Sequence, residues 1–307
     1  MVPRNSDAVA AFAAARDLND LELVGNGLEF VVFRASHPVE GAVVLRVPAG
    51  PRFQSNANDP DVDTRRLLRW EHEITAYLTG HGIPVAEPLE LVVGELDVLM
   101  SRYMPDDGTA FDSAELGSLL ARLHRLPPPP VLPAASEGSA TEDLVPRRIV
   151  RRWQEIATLV PDLPPCLPLE GLRAQLVPSS RCLLHLDVRA ANLRCVAGSV
   201  RALLDWSNAL VGDPALELAR LAEFARLPAN GIDFKGVLHG YGEAPDLDDP
   251  AFAVYRLDAA VMLAVVFLSE APDDALGAEW AGRAVELHEK VEHWAGSSTL
   301  GRKEASA

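Results

Sequence analysis

Residues 184–194, LHLDVRAANLR, follow a short apolar run and place His185, Asp187 and Asn192 close together. These side chains either form a solvated loop after a buried strand or are spaced for chemistry. A second apolar run, RALLDW, ends near another carboxylate, Asp205. Short apolar runs bounded by polar residues indicate buried strands, and we expect these two strands to pair. Pairing would bring Asp205 to the loop that carries Asp187.

The spacing of these groups suits phosphoryl transfer. Asn192 and Asp205 offer hard oxygen ligands, the kind that Mg²⁺ prefers while it keeps waters for substrate phosphates. Asp187 is then free to orient a substrate hydroxyl and accept its proton. Arg189 can offset charge that develops on the transferred phosphate. We therefore predict Asp187 and Arg189 as catalytic residues, and Asn192 and Asp205 as metal ligands.

His185 has two other interpretations. A lone histidine is more often a hydrogen-bonded structural residue, and we expect His185 to brace the cofactor site rather than to transfer protons. A metal cluster of Cys182, His185, Asp187 and Cys195 is disfavoured, because strand alternation sends Cys182 and His185 to opposite faces. The three cysteines of the chain are also too few, and odd in number, for a disulfide framework.

The overall composition indicates a folded, acidic chain. With 307 residues, 48% of them hydrophobic and 23% charged, it can bury a large core as one domain or two lobes. A net charge of −16 repels nucleic acid and anionic membranes and favours a cationic small molecule as partner. The longest apolar stretch, near 259–268, falls short of the ~20 residues of a membrane helix, and no signal segment is recognisable. We expect a cytoplasmic monomer or homodimer without nucleic-acid or membrane partners.

The order of predicted elements indicates an α+β fold with two lobes. Alternating, Gly-punctuated residues over 21–50 predict three antiparallel strands, 64–80 predicts a helix, and 89–104 predicts a hairpin. Further helices are predicted at 7–17, 113–126, 146–160, 169–177, 214–226, 234–241, 250–269 and 276–294. The predicted domains are an N-lobe over 1–100, a hinge at 101–105 and a helical C-lobe over 106–307. The proline-rich segment 127–139 is predicted to be a surface loop.

Several segments together resemble the aminoglycoside phosphotransferase and choline kinase-like small-molecule kinases, which share the bilobal protein-kinase fold. HLDVRAAN is similar to their catalytic loop, LLDWSNALVGDPALELARL to their metal-binding segment, and ELGSLLARLHRL to the first helix of their larger lobe. The resemblance covers about residues 20–290. It implies ATP or GTP as the phosphate donor, Mg²⁺ as the cofactor and a small-molecule hydroxyl as the acceptor.

The resemblance also assigns roles in the N-lobe. Gly25 and Gly27 would let the backbone approach nucleotide phosphates, although a lone G-x-G is more typical of a hairpin turn. Arg46, in VVLRVP, occupies the position where kinases usually carry a phosphate-gripping lysine; it keeps the charge, but its reach and forked geometry differ. Its partner carboxylate would be Glu71 or Glu73. Glu71 is preferred, because it shares a helix face with the leucine seven positions later.

LMSRYMP, residues 99–105, is similar to the hinge of these kinases. The backbone of Ser101 and Tyr103 would meet a purine edge there, and Met100 would lie against the ring. Without the resemblance, Met100 is simply a core residue.

The acceptor should be compact, because Gly212 follows Asp205 by only seven residues and leaves no room for a peptide-docking segment. An antibiotic such as an aminoglycoside, a macrolide or a related natural product fits this expectation. Acidic and aromatic groups near the C-terminus would suit a cationic, sugar-bearing ligand, or else form a solvated face and core aromatics. These groups are Tyr255, Asp258, Glu270, Asp273, Asp274, Trp280 and Trp294. Open alternatives are a kinase for choline, homoserine or methylthioribose, and a catalytically idle nucleotide-binding protein.

Overall fold

The computed structural model describes residues 6–130, 140–177, 181–243 and 245–304. The first elements are α1 (Ser6–Ala14), β1 (Asn19–Asn26), β2 (Phe30–His37), β3 (Gly41–Pro48), β4 (Phe53–Gln54), β5 (Val62–Asp63), α2 (Thr64–Gly80), β6 (Pro88–Val92) and β7 (Val98–Arg102). The later elements are α3 (Ser113–Arg125), α4 (Thr141–Leu159), α5 (Leu169–Arg173), β8 (Cys182–Leu184), β9 (Leu193–Val196), β10 (Ser199–Leu203), β11 (Leu210–Gly212), α6 (Pro214–Phe224), α7 (Phe234–Tyr241), α8 (Pro250–Val265) and α9 (Asp274–Glu304). The predicted helices are thus present, with shifted ends. Most of the predicted surface loop, 131–139, lies outside the described residues.

Five strands form one antiparallel sheet in the order β1-β2-β3-β7-β6. Alternation of side chains gives this sheet two apolar faces. On one face, Val9 of α1 shares a buried cluster with Phe33 and Leu45. On the other face, Leu68 of α2 packs with Leu99. The three predicted strands and the predicted hairpin are confirmed, and they belong to the same sheet.

Helix α2 has the predicted bounds and brings a carboxylate to the sheet. Asp63 caps its first turn by accepting hydrogen bonds from two backbone N–H groups. Leu68, Ile74 and Leu78 are fully buried along one face of the helix. Glu71 lies on that same face, three residues after Leu68, so it is directed towards the sheet.

Helices α3 to α9 surround a second, larger core. At its centre lies α8, which contacts α4, α6 and α9. Together with the π-helical turn Val266–Glu270, α8 forms a 21-residue segment that contains an apolar window of 18 residues with a mean hydropathy of 2.0. This segment is long and apolar enough to cross a membrane, which corrects the expectation of no such stretch. Since 67% of its apolar window is buried inside the protein, it serves as the core helix of this part of the molecule.

The short strands beside the polar loop pair differently from the prediction. Strand β8 pairs with β11, and β9 pairs with β10. The two apolar runs, which contain β8 and β10, are therefore not partners. Strands of three to five residues carry too little alternation to specify a partner. The loops after the two runs nevertheless meet, through backbone hydrogen bonds described below.

The connection between the sheet and the helices runs from Arg102, where β7 ends, to Ser113, where α3 begins. Within it, Asp107 accepts a hydrogen bond from the Ala197 N–H at 2.8 Å. Residues after β7 are thus attached to the helical part. The sheet and the helices form a bilobal α+β fold, whereas the limits 1–100, 101–105 and 106–307 stay predictions.

Candidate active site

Leu204 holds the two polar segments together. Its N–H donates to the Asn192 carbonyl oxygen at 2.8 Å, and its carbonyl oxygen accepts from His185 Nε2 at 2.9 Å. Asp205 follows directly in the chain and so lies beside the loop that carries Asp187, whose pKa is raised by burial and also by the charge of Asp205. The predicted convergence of Asp187, Asn192 and Asp205 is therefore present, although the strand pairing that was expected to produce it is not.

The Asp187 carboxylate lies between an amide and a guanidinium. Asn192 Nδ2 donates to Asp187 Oδ2 at 2.7 Å, and Arg189 Nε lies 3.1 Å from Oδ1. Burial raises the pKa of Asp187, and it outweighs the lowering effect of Arg189. A carboxylate with a raised pKa is a stronger base than an exposed one. Arg189 itself is 46% exposed, so its guanidinium lies at the mouth of the site.

Arg46 connects the sheet to the helical part of the site. Its Nη2 donates to Asp205 Oδ1 at 2.7 Å and to Ser207 Oγ at 2.8 Å. Its Nη1 lies 3.0 Å from Glu71 Oε2. Glu73 instead lines a shallow cavity beside Trp70 on the surface of α2. The structure thus pairs Arg46 with the preferred carboxylate, Glu71, and adds a second one, Asp205.

One guanidinium between two carboxylates separates their pKa values. Burial would raise the pKa of Asp205, but Arg46 and Ser207 lower it to about 2. Burial raises the pKa of Glu71 to about 7 against the opposite effect of Arg46, and the charge of Asp205 contributes to that rise. Asp205 is therefore fully ionised at neutral pH, as a metal ligand must be.

Asn192 and Asp205 fit a hard divalent cation. The Asn192 amide nitrogen is turned towards Asp187, which directs Oδ1 away from it. Within the described part of the chain, neither Asn192 Oδ1 nor Asp205 Oδ2 accepts a hydrogen bond. Two oxygen atoms are therefore available as ligands. In the same part of the chain, no group of three or more His, Cys, Asp or Glu side chains is placed to hold a metal ion.

His185 braces the loop from a fully buried position. Its Nδ1 accepts from the Asp187 N–H at 3.1 Å, so Nε2 carries the proton that it donates to Leu204. Its ring also lies edge-on to Trp206, with 4.5 Å between centroids. With no exposed surface, His185 can support a cofactor site but cannot touch a cofactor.

Helix α6 fixes the backbone directly before Asp187. Leu186 has a φ of +61°, which is unfavourable for a bulky residue. Its N–H donates to Glu217 Oε1 at 2.8 Å, and its carbonyl oxygen accepts from Arg220 Nη1 at 2.8 Å. Glu217 also accepts from the His185 N–H at 2.6 Å. Sequence reasoning assigned no role to Glu217 or Arg220, although both lie in the quoted segment GDPALELAR.

Gly25 lies in β1 opposite Val32, and Gly27 lies in the turn between β1 and β2. The Gly27 N–H donates to the Phe30 carbonyl oxygen at 2.8 Å, and a Cβ on Gly25 would come within 3.4 Å of Val32. The Phe30 ring lies 4.3 Å from the Arg46 guanidinium carbon. The two glycines thus belong to the β1–β2 hairpin of the simpler interpretation, and their contact with phosphates stays a prediction. Phe30 and Ser207 were missed, because no local motif marks them.

The hinge prediction requires two corrections. Across β3 and β7, Met100 lies opposite Leu45, and residues opposite each other share a face of the sheet. Met100 is therefore in the core under α1, 5% exposed, and not against a base. The Tyr103 N–H donates to the Ala42 carbonyl oxygen at 3.0 Å, which leaves only its carbonyl for a purine edge. Ser101 shares the face of Arg46.

The residues proposed for a cationic acceptor have other partners. Tyr255, Asp258 and Trp280 are at most 1% exposed, and Asp258 lies between Arg152 and Arg220. Glu270 accepts hydrogen bonds from Asn58, Asp273 caps α9, Asp274 begins that helix, and Trp294 packs on the core. Tyr255, Asp258 and Trp280 are therefore too buried to line a ligand surface, whereas contact of the other four groups with an acceptor stays a prediction.

Comparisons with known proteins agree with this geometry. The sequence model of the phosphotransferase enzyme family matches residues 20–257. The gentamicin complex of APH(2″)-IIa has a TM-score of 0.66 at 14% identity, over 94% of this chain and 99% of the other. A choline/ethanolamine kinase family protein from Mesorhizobium loti has a TM-score of 0.62 at 20% identity, over 92% and 94%. APH(4)-Ia with AMP-PNP and hygromycin B has a TM-score of 0.63 at 18% identity, over 92% and 98%.

The fold and the site define a small-molecule kinase of the bilobal protein-kinase type. Because the family model matches more than half of the chain, the protein belongs to the phosphotransferase enzyme family. No curated protein sequence matches it significantly.

Proposed function

We propose that the protein transfers the γ-phosphoryl group of ATP or GTP to a hydroxyl of a small molecule. The observation that carries this proposal is the joining of Asp187, Asn192 and Asp205 to the Arg46–Glu71 pair in one cleft. Phosphoryl transfer requires a base, oxygen ligands for a metal ion, and a positively charged side chain held in place by a helix carboxylate. Here Arg46 is that side chain and Glu71 is that carboxylate. Structural neighbours solved with ADP and AMP-PNP support a nucleotide as the donor.

The chemical step follows from the charge arrangement. Asp187 accepts a hydrogen bond from the acceptor hydroxyl and takes its proton as the new O–P bond forms. The bond between the γ-phosphorus and the β–γ bridging oxygen breaks, and the nucleoside diphosphate leaves. Arg189 offsets negative charge on the transferring group, and Arg46 positions the donor phosphates. Mg²⁺ on Asn192 and Asp205 would supply further charge neutralisation.

Several supporting assignments belong to the same proposal. Gly25 and Gly27 cover the donor phosphates, and the carbonyl groups of Ser101 and Tyr103 face the base. Residues 101–105 serve as the hinge between the lobes. The cytoplasm is the proposed location.

The acceptor is an antibiotic-like natural product or a compact metabolite. Structural neighbours solved with gentamicin and hygromycin B favour the first class, and the choline/ethanolamine kinase family neighbour favours the second. The segment from Asp205 to Gly212 is short in either case and opens directly into α6. An idle nucleotide-binding protein is disfavoured, because base, ligands and ion pair are all in place.

The test is an acceptor screen. The protein is incubated with Mg²⁺, ATP or GTP, and pooled antibiotics and metabolites, and the products are analysed by mass spectrometry. One acceptor should gain the mass of one HPO₃ group, and omission of Mg²⁺ should abolish the gain. Tight nucleotide binding without transfer to any compound would favour the idle protein.

A further inference from the structure

Three buried ionic side chains lie where α4, α6 and α8 meet. Arg152 Nη1 of α4 and Arg220 Nη2 of α6 lie 2.7 and 2.8 Å from the two carboxylate oxygens of Asp258 in α8. The three side chains are at most 5% exposed. Burial would raise the pKa of Asp258, but the neighbouring guanidiniums, those of Arg152 and Arg220 foremost, lower it, so the carboxylate is ionised at neutral pH. We call this group the Arg152–Asp258–Arg220 triad.

Stability alone explains the triad poorly. Taking charges out of water costs free energy that a buried ion pair often fails to recover, and well-packed apolar side chains in the same place are often as stable. Arg152 Nε and Arg220 Nε are also buried without a hydrogen-bond partner, which adds to that cost. The best-supported use of a buried ionic group is to fix one geometry among several. The triad is therefore expected to hold some part of the protein in place.

The other contact of Arg220 is with the catalytic loop. Its Nη1 donates to the Leu186 carbonyl oxygen at 2.8 Å, so one planar guanidinium joins Asp258 to the peptide group between Leu186 and Asp187. The N–H of that peptide group donates to His185 Nδ1 at 3.1 Å. Because a peptide group is planar, holding both its C=O and its N–H fixes the plane from which the Asp187 side chain departs.

This peptide plane does not have the orientation that a leucine prefers. The φ of Leu186 is +61°, in the left-handed region that a bulky residue rarely adopts. Glu217 Oε1 accepts from the Leu186 N–H at 2.8 Å, which holds the peptide group before Leu186 but not the one after it. Without Arg220, the peptide group after Leu186 would be free to rotate towards ordinary backbone values and to carry Asp187 with it.

We propose that Arg220 is a positioning residue for the catalytic base, Asp187. Anchored by the other two members of the triad, Arg220 holds the Leu186 carbonyl and thereby sets where the Asp187 carboxylate lies. The inference rests on the proposed phosphoryl transfer and deepens it, because it assigns a buried residue to the same reaction. Arg220 is only 5% exposed, so it acts through the loop and not on substrate. Its effect should appear in kcat, which depends on the placement of the base, and not in the KM of the nucleotide.

Amide hydrogen exchange, followed by NMR, tests the positioning without catalysis. Arg220→Lys keeps a positive charge beside Asp258, but a single ammonium group cannot fork between that carboxylate and the Leu186 carbonyl. The Asp187 N–H is compared with the N–H of Val261, which is fully buried in α8 and reports global unfolding. In Arg220→Lys, the ratio of the Asp187 exchange rate to the Val261 exchange rate should rise at least roughly tenfold, as expected for a lost charged hydrogen bond.

Arg283→Lys is the matched control. Arg283 is also buried, and it donates two hydrogen bonds of 2.9 Å to the carboxylate of Glu223 on α6. Both lysine variants should be less stable to urea, but the exchange ratio should rise in Arg220→Lys alone. An unchanged ratio in Arg220→Lys, or an equal rise in both variants, would overturn the proposal whatever the activity. If Arg220→Lys does not fold, Arg152→Lys loosens the triad carboxylate from the other side and should raise the ratio roughly two- to fivefold, with the same meaning if it does not.

Kinetics with the acceptor found in the screen then test the consequence for the reaction. Arg220→Lys should lower kcat by roughly 10–100-fold, since displacing a reacting group by about 1 Å can cost about 100-fold, and should leave the nucleotide KM unchanged. Arg283→Lys should keep the parent kcat. Parent kcat in Arg220→Lys, or a higher nucleotide KM in place of a lower kcat, would refute the inference and leave the kinase proposal intact. Absence of transfer by the parent protein would refute the kinase proposal alone, because the exchange experiment decides whether Arg220 holds the loop.

Discussion

The catalytic centre and the buried triad of Arg152, Asp258 and Arg220 contain the same ionic groups in opposite proportion. In the centre, one guanidinium, Arg46, is divided between Glu71 and Asp205. In the triad, one carboxylate, Asp258, is divided between Arg152 and Arg220. The excess negative charge of the centre suits a metal ion. The triad instead supports the catalytic loop, because Arg220 Nη1 donates to the carbonyl oxygen of Leu186, the residue before Asp187.

The largest expected effect comes from removing the base beside the centre. Asp187→Asn should lower kcat by a factor of about 10²–10⁴, the usual contribution of a general base. Asparagine keeps the size and can still accept from Asn192, so calorimetric binding of nucleotide should be retained. Steady-state kinetics with the acceptor found in the screen provides the measurement.

The pH profile supplies the control for this variant. In the parent protein, kcat/KM should fall as pH decreases and Asp187 becomes protonated. The midpoint of this decrease should lie at a higher pH than for an ordinary aspartate, because burial raises the pKa of Asp187. If kcat/KM of Asp187→Asn decreased at low pH with the same midpoint as in the parent protein, the base would be another residue.

Neutralising the shared carboxylate of the Arg152–Asp258–Arg220 triad should reduce stability. Asp258→Asn leaves Arg152 and Arg220 buried without a counter-charge, which typically costs ~3–5 kcal/mol. Urea unfolding measures the change. Glu170→Gln is the matched surface control, because Glu170 is 79% exposed and pairs with Arg173. Such a pair contributes about 0–1 kcal/mol. An equal loss of unfolding free energy in both variants would show that the buried Asp258 carboxylate stabilises the protein no more than a surface carboxylate does.

Changing the shared guanidinium of the centre should weaken catalysis moderately. A lysine at position 46 keeps the charge but cannot fork between Glu71 and Asp205. Arg46→Lys should therefore lower kcat/KM for the nucleotide by roughly 10–100-fold, as expected for lost charged hydrogen bonds. Arg16→Lys, at a partly exposed two-point pair with Glu90 that lies outside the site, should leave kcat/KM unchanged. Full activity in Arg46→Lys would show that simultaneous contact of this side chain with Glu71 and Asp205 is not needed for catalysis.

The smallest effect distinguishes the two glutamates of α2. Glu71→Gln keeps a hydrogen-bond acceptor for Arg46 and loses only the charge. Nucleotide KM should rise roughly fivefold, since a single such interaction is worth ~1 kcal/mol. Glu73→Gln should leave KM unchanged, because Glu73 lies at the surface cavity. The reverse ranking would show that the ion pair in this structure is not the functional one.

The sequence was informative where chemistry is local. Asp187 and Asn192 are five residues apart in one loop, and their contact depends on that loop alone. The pairing of Arg46 with Glu71 required only a strand, a helix and one shared face. Predictions failed where the register between strands that are distant in the sequence decides which face of the sheet a residue occupies. Met100 was assigned to the wrong face by one residue, which inverts its environment.

Buried ion pairs were the second source of error. Composition assigns acidic residues to the surface, and Asp258 was therefore expected to attract a cation. Its partners, Arg152 and Arg220, lie 106 and 38 residues away in the sequence. No local sequence pattern predicts such a pairing, because it arises from the packing of α4 and α6 against α8.

The most direct test of phosphoryl transfer at Asp187 uses ATP labelled with ¹⁸O in the three non-bridging γ-oxygens. The parent protein, Mg²⁺ and the screened acceptor should give a product that carries all three labelled oxygens, with unlabelled ADP released. Asp187→Asn should form this product at a rate lower by about 10²–10⁴. Label that appears only in inorganic phosphate, or equal product formation by both proteins, would contradict the account.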